Sequence, residues 1–422
     1  MSRPASPGKV WVIGGGLAGL SAAVALAREG RSVTVVEGAA QAGGRCRSYV
    51  DPVLEMTLDN GNHLVLSGNA AAFEYLDTIG SAHRMAGPDK ASFDWFDVRT
   101  RQGWTLRPND SALAWWIFSQ SRRTPGTTAA DYLGLLPLLG AKPGQTVAQV
   151  MRCEGVLWER LMQPFLLAAL NIEPKGAEAV LAAAVVRETL ARGGLAYRPR
   201  IAEPSLAAAL VDPALDYLAA HGGEVRLGQS LKALTFDGDH VTGLALPGEE
   251  TALGPDDSVI LAVPPWMARS LVPDLTGPDA FTPIVNAHFK RPAPGLKRMV
   301  GVIGGTAEWI FAFDDRISIT VSGADHLVDD DRDSLTARFW ADICAVHGLD
   351  EPAPPSRIVK ERRATFAATP DQAAKRPKPR TAWKNLILAG DWTDTGLPAT
   401  IEGAIRSGHT AAKLARMIAG NA

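Results

Sequence analysis

Residues 9–37 read KVWVIGGGLAGLSAAVALAREGRSVTVVE, and this stretch constrains the fold more than any other in the chain. A short β-type run, Lys9 to Ile13, passes through glycines into a helical pattern that Gly30 ends, and SVTVVE then reads as a second, parallel strand. A βαβ unit of this kind, about thirty residues long, commits the chain to a parallel sheet with helices packed on it. Gly14, Gly16 and Gly19 form G-x-G-x-x-G at the strand–helix junction. Gly14 permits the tight turn, Gly16 lets a pyrophosphate approach the backbone, and Gly19 allows close helix–strand packing. The free N–H groups of the first helical turn, around Leu17 and Ala18, present the positive end of the helix dipole to the phosphates. Glu37 ends the second strand about twenty residues on, where an acid binds a ribose diol. Together these features predict a dinucleotide site.

The rest of the chain exceeds what one such unit needs. At 422 residues, two or three folding units are expected, and 46% hydrophobic with 21% charged residues is globular composition. Forty-three basic against 45 acidic side chains leave a net charge of −2, so there is no electrostatic case for nucleic acid. Cys46, Cys153 and Cys344 are few, odd in number and widely spaced, which matches neither a disulfide framework nor a metal site and fits a reducing cytoplasm. The start, MSRPASPGK, lacks the basic–apolar–small order of a signal peptide, and no stretch approaches the ~18 apolar residues of a membrane span. A cytoplasmic protein, soluble or peripheral at the inner face of the cell membrane, is expected.

The texture along the chain predicts an α/β fold in which the dinucleotide-binding domain is discontinuous. Residues 1–91 form its first part. Residues 92–204, dense in Trp and then rich in Ala and Leu, read as a mainly helical insertion facing substrate or membrane. Strand patterns return at 205–280, the second part, with a hairpin turn at FDGDH and a buried strand in DDSVILAVPP. A mixed α+β substrate domain follows at 281–378, with strand candidates NAHFKR, MVGVIG, WIFAFD and ISITVS. After the basic, proline-rich KRPKPR, residues 379–422 complete the first domain.

The residues after Glu37 decide which dinucleotide. Gly43-Gly44-Arg45 adds a second backbone approach and a fixed cation that an NAD domain has no need for. With VIGGGLAGLSAA and VVE, this GGR resembles the N-terminal signature of the FAD-dependent amine oxidase and phytoene desaturase superfamily. That resemblance implies a Rossmann-type FAD-binding domain and carries further residues with it. Near the C-terminus, NLILAGDWTDTGLPATIEGAIRSG contains a late strand ending in Gly390-Asp391, matching the acid that binds the flavin's ribityl–pyrophosphate region. Thr400 and Ile401 open the helix that points at the ring, where its N–H groups stabilise negative charge on a reduced flavin. Asn60, Gly61 and Asn62, in DNGNHLVLSG, match the segment running under the flavin, and Val225 matches the position whose backbone meets the adenine.

Within the superfamily, GDWTDTGLPATIEGAIRSG resembles the hydroxysqualene dehydroxylases of bacterial hopanoid synthesis, and DNGNHLVLSG, AVPPW and ERRATF are compatible with the same group. Amine oxidases usually carry an aromatic just before the terminal helix; Gly396 to Thr400 has none, which argues against an amine. The resemblance implies a hydroxysqualene substrate, hydride from reduced FAD to an allylic carbon, a dry apolar tunnel, and a proton donor for the departing hydroxyl. Asp394, Glu402 and His63 are the candidate donors, and Trp309 and Trp392 are candidate lining. The electron donor that reduces the flavin is left unidentified. Trp115 to Phe118, next to Arg122 and Arg123, reads either as a membrane-interface segment or as a buried helix. A carotenoid-type desaturase runs the hydride the other way, and a lipid-binding protein like the GDP-dissociation inhibitors uses the same fold without flavin.

Overall fold

The computed structural model describes residues 8–419, so most of the MSRPASPGK segment lies outside the described residues. β1 (Val10–Ile13), α1 (Leu17–Ala27) and β2 (Val33–Val36) form the expected unit. Every residue of β1 and β2 is buried, as a parallel strand covered on both faces requires. β1 is the centre of a five-stranded parallel sheet in the order Glu224–Arg226, β2, β1, Ser258–Leu261, Leu386–Leu388. Three distant stretches therefore close one sheet.

The helix Ile401–Ala419 packs against α1. A Cβ on Gly408 would sit 2.1 Å from Ser21 Oγ and 2.3 Å from the Ala18 carbonyl oxygen, so the two helices cross almost backbone to backbone. Gly19 serves the same end on the other side, where a Cβ would fall 1.9 Å from the Gly14 carbonyl oxygen. The small residue at the Gly408 crossing lets the end of the chain pack on its beginning, and Gly19 seats α1 on β1.

The second large sheet has seven strands, in the order Ser356–Phe366, Phe281–Phe289, Ile317–Val321, Trp309–Ala312, Met299–Ile303, Phe93–Asp97, Gln102–Leu106. Phe93–Asp97 runs parallel to Met299–Ile303; the other pairings are antiparallel. This corrects the expectation for 92–204. Its first fifteen residues form an edge hairpin of the substrate sheet, and Pro199–Ala202 pairs with Leu64–Leu66 and Met85–Ala86. Between them, 115–196 is made of short helices around Trp158, Leu166 and Ala182.

Side-chain alternation divides this sheet's two faces. Ile310, Ile319 and Val321 pack with Phe339 and Ile343 of the helix Arg332–His347, which Asp331 caps by accepting from the Asp333 and Ser334 N–H groups. Trp309, Phe311, Thr320 and Ser322 point the other way, into a cavity shared with the parallel sheet.

Candidate functional site

The cavity has a volume of about 750 Å³. Its parallel-sheet wall begins at the β1–α1 junction. Gly14 adopts φ +112°, and a Cβ there would fall 2.4 Å from the Ala262 carbonyl oxygen, so the turn admits glycine alone without displacing backbone. Gly16 is the N-cap of α1, which has neither a side-chain cap nor an acid in its first turn. A Cβ on Gly16 would meet nothing within 4 Å, because the position opens onto the cavity. The first-turn N–H groups at Leu17 and Ala18 thus lack a protein acceptor where an anion would supply one.

Glu37 lies beside them, its Oε2 accepting from the Gly15 N–H at 2.6 Å and its Oε1 from the Ala39 N–H at 2.8 Å. Gly43 and Gly44, both at positive φ, place Arg45 in the same wall. One Arg45 amino group donates to Asp391 Oδ1 at 2.7 Å and the other to the Ala364 carbonyl at 2.6 Å. Two residues 346 positions apart thereby meet, Asp391 buried and Arg45 half-exposed toward the cavity. Gly390 donates its N–H to Ser407 Oγ at 2.6 Å, tying this turn to the terminal helix, whose start Thr400 caps by accepting from Gly403 N–H at 3.0 Å.

Asn60, Gly61 and Asn62 line the wall nearest the seven-stranded sheet. Gly61 has a reason beyond open space, since a Cβ there would meet Asn286 Nδ2 at 2.9 Å. Asn62 Nδ2 donates to Thr320 Oγ1 at 3.1 Å, and Thr320 donates to Asn286 Oδ1 at 2.8 Å. Asn62 Oδ1 and Gln229 Oε1 are buried at the cavity with no partner. Free backbone donors at one end and orphaned amide acceptors further along fit a ligand with an anionic pyrophosphate, a ribose and a polar ring.

Among the residues expected from the sequence, three lie off the cavity surface. Gly19 packs α1 on β1. Val225 pairs with Val35 inside the parallel sheet, and Gln229, Ser230 and Leu231 line the cavity in its place. Val225 came from the resemblance alone, and no local signal in the stretch pointed to the residues after the strand. Asp394 is exposed and paired with Lys378, so it cannot reach a buried substrate.

The other two proton-donor candidates are in the wall but differ in state. Glu402 is 3% exposed, and its oxygens accept from the Ala71 and Ala72 N–H groups and from Arg406, which also pairs with Glu188. Both oxygens are therefore engaged by a helix N-terminus and a cation and turned to them. Burial, with help from the nearby Arg45 charge, lowers the His63 pKa below its usual range. The neutral ring donates Nδ1–H to the Gly61 carbonyl at 3.1 Å, which leaves Nε2 an acceptor. Cys46 is inert as well, its thiol pushed up to about 12 by burial.

Arg376, from the proline-rich KRPKPR, gave no local signal. It is buried, lies 4.8 Å over the Phe366 ring, and donates to the Asp391 and Thr393 carbonyls and to Thr395 Oγ1. It fixes the turn that carries Asp391. Trp309 and Trp392, with Phe311, Trp95 and Phe93, give the rest of the cavity an aromatic lining. No group of His, Cys, Asp or Glu among the described residues could hold a metal ion.

Comparison with known proteins follows the same lines. The family "Flavin containing amine oxidoreductase" matches residues 17–415. A hydroxysqualene dehydroxylase of Rhodopseudomonas palustris is 53% identical over 96% of this chain and 97% of its own length. Another hydroxysqualene dehydroxylase, of Sinorhizobium fredii, is 47% identical over 97% of this chain and 98% of its own. Among solved structures, an oxidoreductase from Methanosarcina mazei superposes with a TM-score of 0.70 at 15% identity, covering 96% of this chain and all of that one, which shows a shared fold.

Proposed function

We propose, from the premise that the chain belongs to the flavin containing amine oxidoreductase family and within it groups with the hydroxysqualene dehydroxylases, that it is an FAD-dependent enzyme removing the allylic hydroxyl of hydroxysqualene to give squalene. The observation that carries the reading is the joining of two unlike halves in one cavity: a dinucleotide cradle and a chamber lined by aromatic side chains.

The residues that would hold FAD are Gly14, Gly16, Leu17, Ala18 and Glu37 for the adenosine and pyrophosphate end, with Gly43 to Arg45 and Asp391 beyond them. Asn60 to Asn62, Thr400 and Ile401 would face the ring, and Leu231 stands where Val225 was expected. Bound and reduced, FAD supplies the hydride. The chain's own residues do the rest. Arg45 and Asp391 fix each other and leave the cation's outer edge toward the pyrophosphate region. Trp309, Phe311 and Trp95 exclude water and offer π faces to the positive charge that develops when an allylic C–O bond breaks. Neutral His63 offers Nε2 as an acceptor for the substrate hydroxyl's own hydrogen, which orients the oxygen. Gly396 to Ala399, with no aromatic, leave an isoprenoid chain room where an amine cage would stand.

Anaerobic incubation of the reduced protein with hydroxysqualene tests the reading. Squalene should form as the flavin is reoxidised, and neither event occurring would refute it. Oxidation of a polyene by the oxidised protein would indicate a desaturase instead, and a protein purified without flavin would indicate lipid binding alone.

No helix among the described residues is long and apolar enough to cross a membrane. Leu113, Trp115, Phe118, Leu133 and Leu136 nevertheless stand exposed, while Trp116 between them is buried and Arg122 stacks 4.7 Å over the Trp115 ring. This patch supports peripheral contact of a cytoplasmic protein with the membrane that holds its C30 substrate. Co-sedimentation with anionic liposomes should fall in a Trp115→Ala/Phe118→Ser variant.

A further inference from the structure

Loss of a hydroxyl as water requires a proton, and the acids near the cavity are not equally free to supply one. Asp394 is exposed outside it. Of the carboxyl groups in the lining, Glu37 accepts from two backbone N–H groups and Asp391 pairs with Arg45. Glu188 meets Arg406 with both oxygens, and Glu402 is held by Arg406 and a helix N-terminus. Glu361 differs. Its hydrogen bond among the described residues comes from Asn60 Nδ2, which reaches Oε2 at 3.4 Å. The cations of the lining are engaged elsewhere. Arg45, within electrostatic reach of Glu361, is bound to Asp391 and the Ala364 carbonyl, Arg47 to the Gly44 carbonyl, and Arg363 lies 4.9 Å over the Trp266 ring. A carboxyl that no cation pins in its ionised form is the one able to carry a proton into an apolar chamber.

The strand Ser356–Phe366 explains where this carboxyl stands. It pairs antiparallel with Phe281–Phe289, placing Glu361 opposite Ile284, and both residues line the cavity. The register then slips: Arg362, Arg363 and Ala364 stand opposite Pro283 alone, which has no N–H to give the ladder. This bulge brings Arg363, Ala364, Thr365 and Phe366 to the cavity in succession, where a regular strand would show every second residue. Asn60 belongs to the segment that would face the flavin ring. Glu361 therefore stands where the cradle meets the aromatic lining, the place at which hydride must reach the substrate carbon.

We propose that Glu361 is the general acid of the reaction, giving its carboxyl proton directly to the departing hydroxyl; this rests on the reading of the site as a hydroxysqualene dehydroxylase. As the allylic C–O bond breaks, both of its electrons leave with oxygen. The Glu361 O–H bond breaks with it, and the proton joins that oxygen to complete a water molecule. The allylic carbon takes hydride from reduced FAD, so carbon is reduced as the flavin is oxidised. Glu361 is left as a carboxylate, and solvent returns its proton before the next turnover.

The test uses full-length holoenzyme in three forms: wild type, Glu361→Gln and Glu361→Asp. Two substrates are compared, hydroxysqualene and its O-formyl ester, whose formate departs as an anion and needs no proton. On the alcohol, kcat of the Gln variant should fall by about 100-fold or more, the usual share of a positioned general acid. The Asp variant, which keeps an acid on a shorter stem, should fall less. On the ester, the Gln variant should turn over within a few-fold of wild type. Two readouts need no turnover: FAD affinity of the apoprotein, and the Kd of hydroxysqualene for the oxidised holoenzyme from the change in flavin absorbance. Both should stay within a few-fold of wild type in either variant. A Gln variant that matches wild type on the alcohol, that loses as much on the ester as on the alcohol, or that loses flavin overturns the role of Glu361 and leaves the dehydroxylase reading standing. If the chamber excludes the ester, the order of kcat at equal Kd decides, and a Gln variant as fast as the Asp variant overturns the role. No squalene from wild type with either substrate overturns both.

Discussion

The two walls of the cavity treat charge in opposite ways. On the parallel-sheet side every acid facing the cavity is met: Glu37 by two backbone N–H groups, Asp391 by Arg45, and Glu402 by a helix N-terminus and Arg406. On the other side, the strands Trp309–Ala312 and Ile317–Val321 contribute indole, phenyl and hydroxyl groups, the strand Ser356–Phe366 adds Glu361 and an Arg363 that lies 4.9 Å over the Trp266 ring, and Glu308, behind the lining, has no cation. Charges fixed in advance can bind an ionic ligand without reorganising. A wall made mostly of aromatic faces accepts an apolar chain and offers π density to a passing positive charge. Substitutions in the cradle of the first wall should therefore weaken or abolish cofactor binding, and those in the second should change turnover more than binding.

The largest expected effect is at Arg376. Removing its guanidinium in Arg376→Met leaves the Asp391 and Thr393 carbonyls and Thr395 without their buried donor, at a cost of about 3–5 kcal/mol by analogy with broken buried pairs. Urea unfolding should show that loss, and the protein should purify without flavin. Full flavin occupancy would mean that the first wall is not held by this residue.

Second comes a pH effect behind the second wall. The folded-state pKa of Glu308 is raised by burial from 4.5 to about 7, so the folded protein holds a proton that the unfolded chain has already released in this window. Its stabilising contribution is complete below pH 4.5 and is lost as pH rises through about 7, a change of about 3 kcal/mol. His288 works in the opposite direction. Burial and then Arg316 depress it to about 3, so its contribution is present above 6.5 and lost as pH falls toward 3. Subtracting the unfolding free energy of Glu308→Gln from that of wild type at each pH cancels His288. The difference should fall between pH 4.5 and about 7 and level off above it; a flat difference would show that Glu308 is solvated.

Gly16→Val probes the cradle without disturbing its packing. The added side chain meets no protein atom near its Cβ, so the apoprotein should fold with near wild-type stability. Flavin binding should weaken by roughly 100-fold, equivalent to about 2.7 kcal/mol. Gly14 gives the contrast: a Cβ there strikes backbone, and Gly14→Val should unfold the apoprotein too.

These two glycines also show what was legible in the sequence. The cradle is local, with strand, turn, helix and acid within thirty residues, and each residue type there has one geometric reason. Gly390-Asp391 was readable because its resemblance supplied a partner for it more than three hundred residues away. Arg376 was not, because a buried arginine inside a proline-rich segment looks like any solvated linker cation until its three acceptors are placed around it. The edge hairpin Phe93–Leu106 was masked by its tryptophans, which suit a helix or a strand equally well. Glu308 was hidden for a similar reason. An acid just before an apolar strand reads as a turn residue, and only the register beside Ser322 shows that it is buried. Val225 was supplied by the resemblance, and only the strand pairing with Val35 shows that it lies inside the sheet, off the cavity.

Glu402→Gln should have a smaller effect. Its charge-assisted bonds to the Ala71 and Ala72 N–H groups weaken, costing about 2 kcal/mol, while Arg406 keeps Glu188. Flavin should remain bound and kcat should stay within a few-fold of wild type. A collapse in kcat at unchanged stability would return the proton donor to the first wall.

The smallest effect is at the seam between the walls. Thr320 accepts from Asn62 on the cradle side and donates to Asn286 in the sheet, so its hydroxyl links the two. Thr320→Val keeps the shape and removes that link. Asn62 Nδ2 retains the Ile319 carbonyl at 3.3 Å, while the buried Asn286 Oδ1 loses its donor. The cost should be about 1–3 kcal/mol, that of leaving one buried acceptor unsatisfied. Flavin affinity, measured by fluorescence titration of the apoprotein, should fall by less than tenfold, because Asn62 loses orientation and not its acceptor oxygen. A fall of more than 100-fold would mean that the cradle depends on the sheet for its geometry, and the two walls would then have to be treated as one binding unit.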